Sequence, residues 1–364
     1  MRILISIGHP AHIHLFKNLI WTLEDQGHEI KIIARDRDII LQLLDSYAFD
    51  YYVISKVGSG LLGLGKEVLI RTYGILKVAR KFRPDLMVAV FDPSIAQVGK
   101  LLNISTIIFI DNEPEVIPFP IPCLTIPFAG IILTLTSVKH DFGSNEIKMN
   151  GYKELAYLHP NYFNPDMTVL ESMGVSKNEK FILIRFVAWN AYHDINKKGF
   201  NIDTKKELIN ELETYARIFI TSEGYLPPEL EKYRIKFPAD KIHDALYFAQ
   251  MLVGDSQTMT TEAGVLGIPA LRCNSFVGEN DMGNFIELEQ KYGLIFNYSD
   301  PKETVNKAIE LIQKSDLKYV WRKKRDKLLN DKIDVTAFMT WLVGNYPKSL
   351  QQIRQNPDLQ YQFK

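Results

Sequence analysis

Short apolar runs alternate with helix-patterned segments along this chain, and the alternation stops once and then restarts. Residues 3–7 form an almost wholly apolar run ended by Gly8, the pattern of a strand buried on both faces. Leu15, Leu19, Ile20 and Leu23 then recur on one helical face, and Gly27 stands where a C-cap glycine belongs. Residues 29–34, 51–55, 86–91 and 105–110 repeat the strand pattern, with helical stretches such as 36–47 between them. Such a succession requires a mostly parallel sheet with helices on both faces. Ligands of such sheets gather beyond the carboxyl ends of the strands.

The pattern restarts after a polar stretch, 161–178, that holds Pro165 and Gly174. Residues 181–185, 217–221, 251–254 and 269–272 read as strands, and 205–215, 241–249, 260–266 and 300–314 as helices. The expectation is an α/β chain of two doubly wound, Rossmann-like domains, 1–165 and 166–335, facing across a cleft that holds the active site. Residues 336–364 would carry a last apolar helix, returning to the first domain, and a tail frayed from Pro357 onward. A length of 364 residues leaves room for two cores.

Charge and cysteine content exclude several alternatives. Lys plus Arg equals Asp plus Glu, 43 each, which is not the basic excess of a nucleic-acid binder. Two cysteines, Cys123 and Cys273, make neither a disulfide framework nor a Cys-rich zinc site. The opening apolar run is too short for a secretory signal, so a cytoplasmic protein is expected. Residues 116–138 carry no charge and are long enough to cross a bilayer. Pro118, Pro120, Pro122 and Pro127 deny that segment a helix, and open backbone is not tolerated in lipid. A Pro-rich loop leading into a buried strand at 131–135 is expected instead.

Chemistry concentrates first in Gly254-Asp255-Ser256-Gln257-Thr258-Met259-Thr260-Thr261-Glu262-Ala263-Gly264. A strand ends at Gly254, hydroxyl residues make a turn, and a helix opens near Thr260. Backbone N–H groups at such a helix start, with the Ser256 and Thr258 hydroxyls, suit a diphosphate, and Glu262 suits a ribose. The competing explanation is ordinary N-capping by Ser256 or Thr258. This run resembles the donor motif of GT-B proteins, in particular UDP-N-acetylglucosamine 2-epimerases and the N-acetylglucosaminyltransferase that makes lipid-linked peptidoglycan precursor. The resemblance implies phosphate binding by Ser256 and ribose binding by Glu262, and the six-residue step between them is the more epimerase-like. Residues 242–249, including His243, resemble the transferase segment that flanks the nucleobase.

Gly8-His9-Pro10-Ala11-His12, Gly151-Tyr152-Lys153-Glu154-Leu155-Ala156-Tyr157, Arg185-Phe186-Val187-Ala188-Trp189-Asn190 and Arg272-Cys273-Asn274-Ser275-Phe276 resemble one archaeal and bacterial GT-B-like family of unknown function. That likeness runs from residue 1 to about 345 and implies the GT-B architecture. Gly8, His9, Arg185, Asn190, Arg272 and Asn274 therefore join the substrate-binding candidates.

His9, His12 and His14 follow the first strand. In similar transferases a residue here meets the acceptor or the diphosphate, and His12 falls at the matching step; an imidazole can deprotonate a hydroxyl near neutral pH. A three-histidine zinc site is the rival for this cluster, and helix capping the bland alternative, chiefly for His14. Asp92 and the group Asp111, Glu113 and Glu115 follow two other strands. The epimerases carry acid–base carboxylates in equivalent loops, which implies catalytic roles for Asp92 and Glu113. Asp92 can equally cap a helix starting at Pro93. One departure counts against epimerisation: those enzymes show a His-Arg-x-Glu-Asn run where this chain has Arg185 to Asn190. Arg185 can still neutralise a diphosphate.

Two near-matches are rejected. Residues 60–67 approach a P-loop, but Glu67 replaces the hydroxyl residue that holds magnesium. Asp36-Arg37-Asp38 mimics a metal-binding Asp-x-Asp, and helix capping explains it better. Residues 66–83 mix Lys66, Arg71, Lys77, Arg80, Lys81 and Arg83 with apolar side chains, the composition of a helix that rests on an anionic bilayer or merely presents a solvated face.

The expected function is transfer of a sugar from a nucleotide-diphosphate donor, UDP-linked, to a sugar or lipid-linked acceptor in glycan or polysaccharide biosynthesis. No metal or cofactor is called for, and peripheral contact with the inner membrane face is admitted. Epimerisation of the nucleotide sugar is the enzymatic alternative. A non-catalytic sugar-nucleotide-binding protein is the alternative from another class.

Overall fold

The structure, a computed structural model, describes residues 1–37, 39–58, 60–117, 119–187, 199–222, 224–235, 238–278 and 281–364. It divides into unit 1, Met1–Tyr162 with Lys332–Lys364, and unit 2, Phe163–Asp331.

Unit 1 is built on a parallel sheet of β1 (Arg2–Ile7), β2 (Glu29–Asp36), β3 (Tyr51–Lys56), β4 (Leu86–Val90), β5 (Ser105–Ile110), β6 (Ile131–Leu135) and β7 (Glu146–Met149), in the order β3-β2-β1-β4-β5-β6-β7. Strand order reverses between β1 and β4. Helices Pro10–Asp25 and Val335–Gly344 pack together, and Gly60–Phe82, Pro93–Leu102 and Ile121–Thr125 pack in sequence as another layer. Ile75, Ala79 and Ile95 of that layer close a core with Leu4, Ala89 and Ile108 of the sheet. Being covered on both faces is why Ile3, Leu4 and Ile5 are fully buried without any polar alternation.

Unit 2 carries a second parallel sheet of β8 (Phe181–Phe186), β9 (Arg217–Ser222), β10 (Leu252–Gly254), β11 (Ala270–Cys273) and β12 (Ile295–Tyr298), ordered β12-β11-β10-β8-β9. Its order reverses between β8 and β10. Gly254 is required there, since a Cβ would lie 2.2 Å from the Arg185 carbonyl oxygen.

Several expectations need correction. The break falls at 162/163 rather than 165/166, and the return to unit 1 begins at Lys332, where Ile333 N–H donates to the Asn150 carbonyl at 3.0 Å. The tail is not frayed. Pro357–Gln362 forms a 3-10 turn, Gln360 accepts from Asn150 N–H at 2.7 Å, and the Phe363 ring packs edge-on to Phe338. The helix expected from residue 36 starts at Ile40 with no side-chain cap, so capping does not explain Asp36; it ends β2 and faces Lys56 at 3.5 Å. Asp38 lies outside the described residues. The uncharged stretch leads into β6 but is not a plain loop: it holds the short helix Ile121–Thr125, with Pro122 in its first turn, and the 3-10 turn Ile126–Phe128. Among the described residues no helix is long and apolar enough to cross a membrane.

Candidate functional site

In open doubly wound sheets, side chains and helix starts converge beyond the carboxyl ends of the strands where strand order reverses. Gly8, His9, His12 and Asp92 in unit 1, and Arg185, Ser256 and Thr258 in unit 2, stand at or just past such strand ends.

In unit 2 the chain leaves β10 and immediately opens the helix Gln257–Leu266. Ser256 is its N-cap, its Oγ accepting from Met259 N–H at a long 3.4 Å. The helix starts three residues earlier than the hydrophobic pattern indicates, which puts Thr258 in the first turn. Asp255 braces the turn: its Oδ1 accepts from Val187 N–H at 2.8 Å, and its carbonyl accepts from Asn274 Nδ2 at 3.1 Å. Asn274 thereby ties β11 to the helix start, and it is buried. Arg185, near the end of β8, donates from Nη1 to Thr221 Oγ1 at 3.0 Å. Further along the helix, Glu262 is buried against His243, with 2.9 Å between Oε1 and Nε2. These two residues, named separately from sequence, form a pair.

Arg272 is placed differently. It is fully buried, ion-paired with Asp281 and stacked 3.6 Å from the Phe285 ring centroid. Its guanidinium anchors the segment after β11 rather than presenting itself at the helix start. Asn190 lies outside the described residues.

In unit 1, His9 caps the helix Pro10–Asp25, its Nδ1 accepting from Ala11 N–H at 3.2 Å. His12, one turn on and partly buried, accepts on Nδ1 from Gly8 N–H at 3.3 Å. This assigned bond orients the ring and leaves Nε2 to carry the proton. Burial holds the His12 pKa well below that of an ordinary imidazole, and His9, Lys153, Arg71 and Arg37 push it the same way. His14 instead turns to the rings of Tyr157 and Tyr47 at 5.3 and 6.1 Å, so the three imidazoles do not converge. Among the described residues no group of three His, Cys, Asp or Glu side chains is gathered for a metal.

Asp92 is 2% exposed and heavily used. Oδ1 caps the helix Pro93–Leu102 through Ser94 and Ile95 N–H, while Oδ2 accepts from Ser6 Oγ at 2.9 Å and Arg71 Nη2 at 2.5 Å. Gly8 belongs to the same cluster, since a Cβ on it would lie 3.2 Å from Arg71 Nη2 and 3.8 Å from His12 Cε1. Glu113 sits partly buried after β5, at the mouth of the turn Pro114–Val116. Nearby in sequence, Asp111 is ion-paired with Lys153.

Three residues escape the motif search. Arg71 reads as surface charge, yet Glu67, Arg71, Ile75, Ala79 and Phe82 step by three and four along the inward face of one helix. That stripe is the signal that finds it. It also explains the failed P-loop, because Glu67 is buried against Arg35. Lys153 lies inside a quoted motif but acts across the sheet. Lys205 follows a helix start, and nothing local marks it. It stands 4.4 Å from the Phe186 ring centroid, and burial lowers its pKa against the pull of Asp255.

Sequence comparison decides the family: the model described as "Protein of unknown function (DUF354)" matches residues 1–346. The chain belongs to the DUF354 family. An uncharacterized Methanocaldococcus jannaschii member, MJ0665, is 26% identical over 286 residues, covering 74% of this chain and 80% of the relative. Two solved structures share the fold. UDP-GlcNAc 2-epimerase from Neisseria meningitidis bound to UDP-GlcNAc aligns with a TM-score of 0.65 at 14% identity, covering 97% of this chain and 100% of that one. The Streptomyces sp. SF2575 glycosyltransferase SsfS6, complexed with thymidine diphosphate, aligns with a TM-score of 0.61 at 14% identity, covering 94% and 99%. The DUF354 chain thus carries two Rossmann-like sheets of the kind found in GT-B glycosyltransferases and epimerases.

Proposed function

We propose that this DUF354 protein transfers a sugar from a nucleotide-diphosphate donor, with UDP as the nucleotide. The observation that carries the reading is the Ser256-capped helix start at the strand-order reversal of unit 2, with the buried His243–Glu262 pair one to two turns along. Helix N–H groups there would take the diphosphate, aided by Ser256, Thr258, Arg185 and Lys205. Glu262, oriented by His243, would accept from the ribose. Two similar folds were solved with UDP-GlcNAc and thymidine diphosphate, which supports a nucleotide ligand of this class.

Unit 1 supplies the acid–base chemistry. His12, held neutral, takes the proton of the attacking acceptor hydroxyl on Nδ1 once that atom releases Gly8 N–H. The bond from the donor sugar to the diphosphate breaks as the new glycosidic bond forms, the nucleoside diphosphate leaving. Glu113 is the second candidate for moving protons. Asp92 acts by holding Arg71 beside Gly8 and His12. Sugar or lipid-linked acceptors in glycan biosynthesis fit this chemistry.

Epimerisation is favoured by a different observation, the six-residue step from Ser256 to Glu262 together with carboxylates after β4 and β5. Calorimetry with UDP, dTDP and UDP-GlcNAc tests the donor site; absence of binding to all three would sink both readings. Incubation of the protein with donor alone in heavy water then separates them. Deuterium entering a sugar carbon means epimerisation, whereas no exchange until an acceptor is added means transfer. Tight binding with no turnover under any acceptor, and a His12→Ala variant altered only in affinity, would mark a binding protein.

A further inference from the structure

The helix Gly60–Phe82 has two opposed faces with separate occupations. Its inward face carries Glu67 to Arg35, Arg71 to Asp92 and Ser6, and Ile75 into the core. Its outward face is unusual for a surface helix. Leu69 and Tyr73, one turn apart, are 72% and 69% exposed, with Val68 and Ile70 exposed beside them. Lys66, Lys77, Arg80 and Lys81 are exposed around and below this apolar stretch. The helix has one carboxylate, Glu67, and that is buried and paired. The outer surface therefore offers apolar side chains and positive charge with no negative charge on the helix to balance it.

We infer that this face docks unit 1 on an anionic lipid bilayer. Apolar residues flanked by lysine and arginine are what an interfacial helix needs: the former enter the acyl boundary and the latter meet the headgroups. A second copy of the chain fits worse. A two-fold contact would bring the same patch against itself, cations on cations. The helix Leu317–Asp331 shows the contrast within this molecule. It is richer still in Lys and Arg, but Lys318, Lys324 and Arg325 donate to backbone carbonyls of Phe248, Gly293 and Val265. These cations are structural, whereas the exposed Lys66, Lys77, Arg80 and Lys81 of Gly60–Phe82 have no such carbonyl bond among the described residues.

Docking goes beyond the donor chemistry and does not depend on it. It carries one consequence that does rest on the proposed transfer: the same helix sets Arg71 beside Gly8 and His12, so a membrane-anchored acceptor is the class that fits.

Vesicle flotation tests the docking face. The full chain should float with vesicles of equal phosphatidylcholine and phosphatidylglycerol, stay behind with phosphatidylcholine alone, and be released by high salt. Leu69→Ser with Tyr73→Ser, and separately Lys77→Glu with Lys81→Glu, should each lower the bound fraction at least about tenfold. Failure of the wild-type chain to float, or flotation of either variant at the wild-type level, overturns the proposal. A dimer in sedimentation velocity that the Leu69/Tyr73 variant splits, without flotation, overturns it in favour of a second copy. UDP calorimetry on the same samples keeps the two readings apart: lost flotation with intact UDP binding removes only the membrane face, and the reverse removes only the donor site.

Discussion

The strand-order reversals of the two units occupy equivalent topological positions and solve different electrostatic problems. In unit 1, charged side chains crowd a single imidazole: Arg71, Lys153 and Arg37 press on His12, and Asp92 and Asp111 tie two of those cations in place. In unit 2, the helix start is held by mostly neutral bonds, with Asp255, Asn274 and Ser256 fixing backbone groups. A fixed array of N–H dipoles binds an anion without rearranging. Charges around a titratable ring set a proton affinity. Under the proposed function, one fold used twice yields one place for gripping the donor and one for moving a proton.

The strongest way to break that contrast is to remove a charge from each unit. Asp92→Asn keeps an oxygen for the helix cap but loses the Arg71 pair, and should lower the unfolding free energy by about 3 kcal/mol in urea titrations. Asp255→Asn should cost only about 1 kcal/mol; equal losses would erase the distinction. Next in size, His12→Ala should reduce turnover about 10²–10³-fold while UDP affinity measured by calorimetry stays unchanged.

The pH dependence sharpens the same point. The lowered His12 pKa means the neutral base is already available at neutral pH, so kcat/KM should rise through a pKa below 6.5 and be flat above it. The sign for stability follows. The fold favours the uncharged ring, so this contribution is complete above the unfolded value of about 6.5 and is lost as pH falls toward the folded one. Unfolding curves of wild type and His12→Asn should converge in acid; a constant gap would contradict the assignment. Smallest, Ser256→Ala should weaken UDP binding roughly tenfold, with a stability loss of about 1 kcal/mol or less because its capping contact is long.

Much of the scaffold can be read from residue order. β5 and β6 coincide with their apolar runs, because strands covered on both faces leave an uninterrupted signature. β7 and β12 are not legible: each is a four-residue edge strand with polar positions, Glu146 and Lys148 in one and Asn297 in the other. The helix Leu317–Asp331 hides its few buried residues, Leu317, Trp321 and Leu328, among lysines and arginines. At the site, Ser256 is readable because capping is a local event. The His243–Glu262 and Arg71–Asp92 pairs are not, since each joins two elements that only tertiary structure brings together.

Unit 2 lies in sequence between two segments of unit 1, Met1–Tyr162 and Lys332–Lys364, and so is an insertion within it. As the polypeptide emerges from the ribosome, all of unit 2 is available before Lys332–Lys364 exists. Unit 1 at that moment still lacks the Val335–Gly344 helix against Pro10–Asp25 and the Gln360 acceptor for Asn150. The order of maturation is therefore inverted relative to synthesis: the half begun first is finished last, and a stop before Lys332 leaves a completed unit 2 attached to an open unit 1.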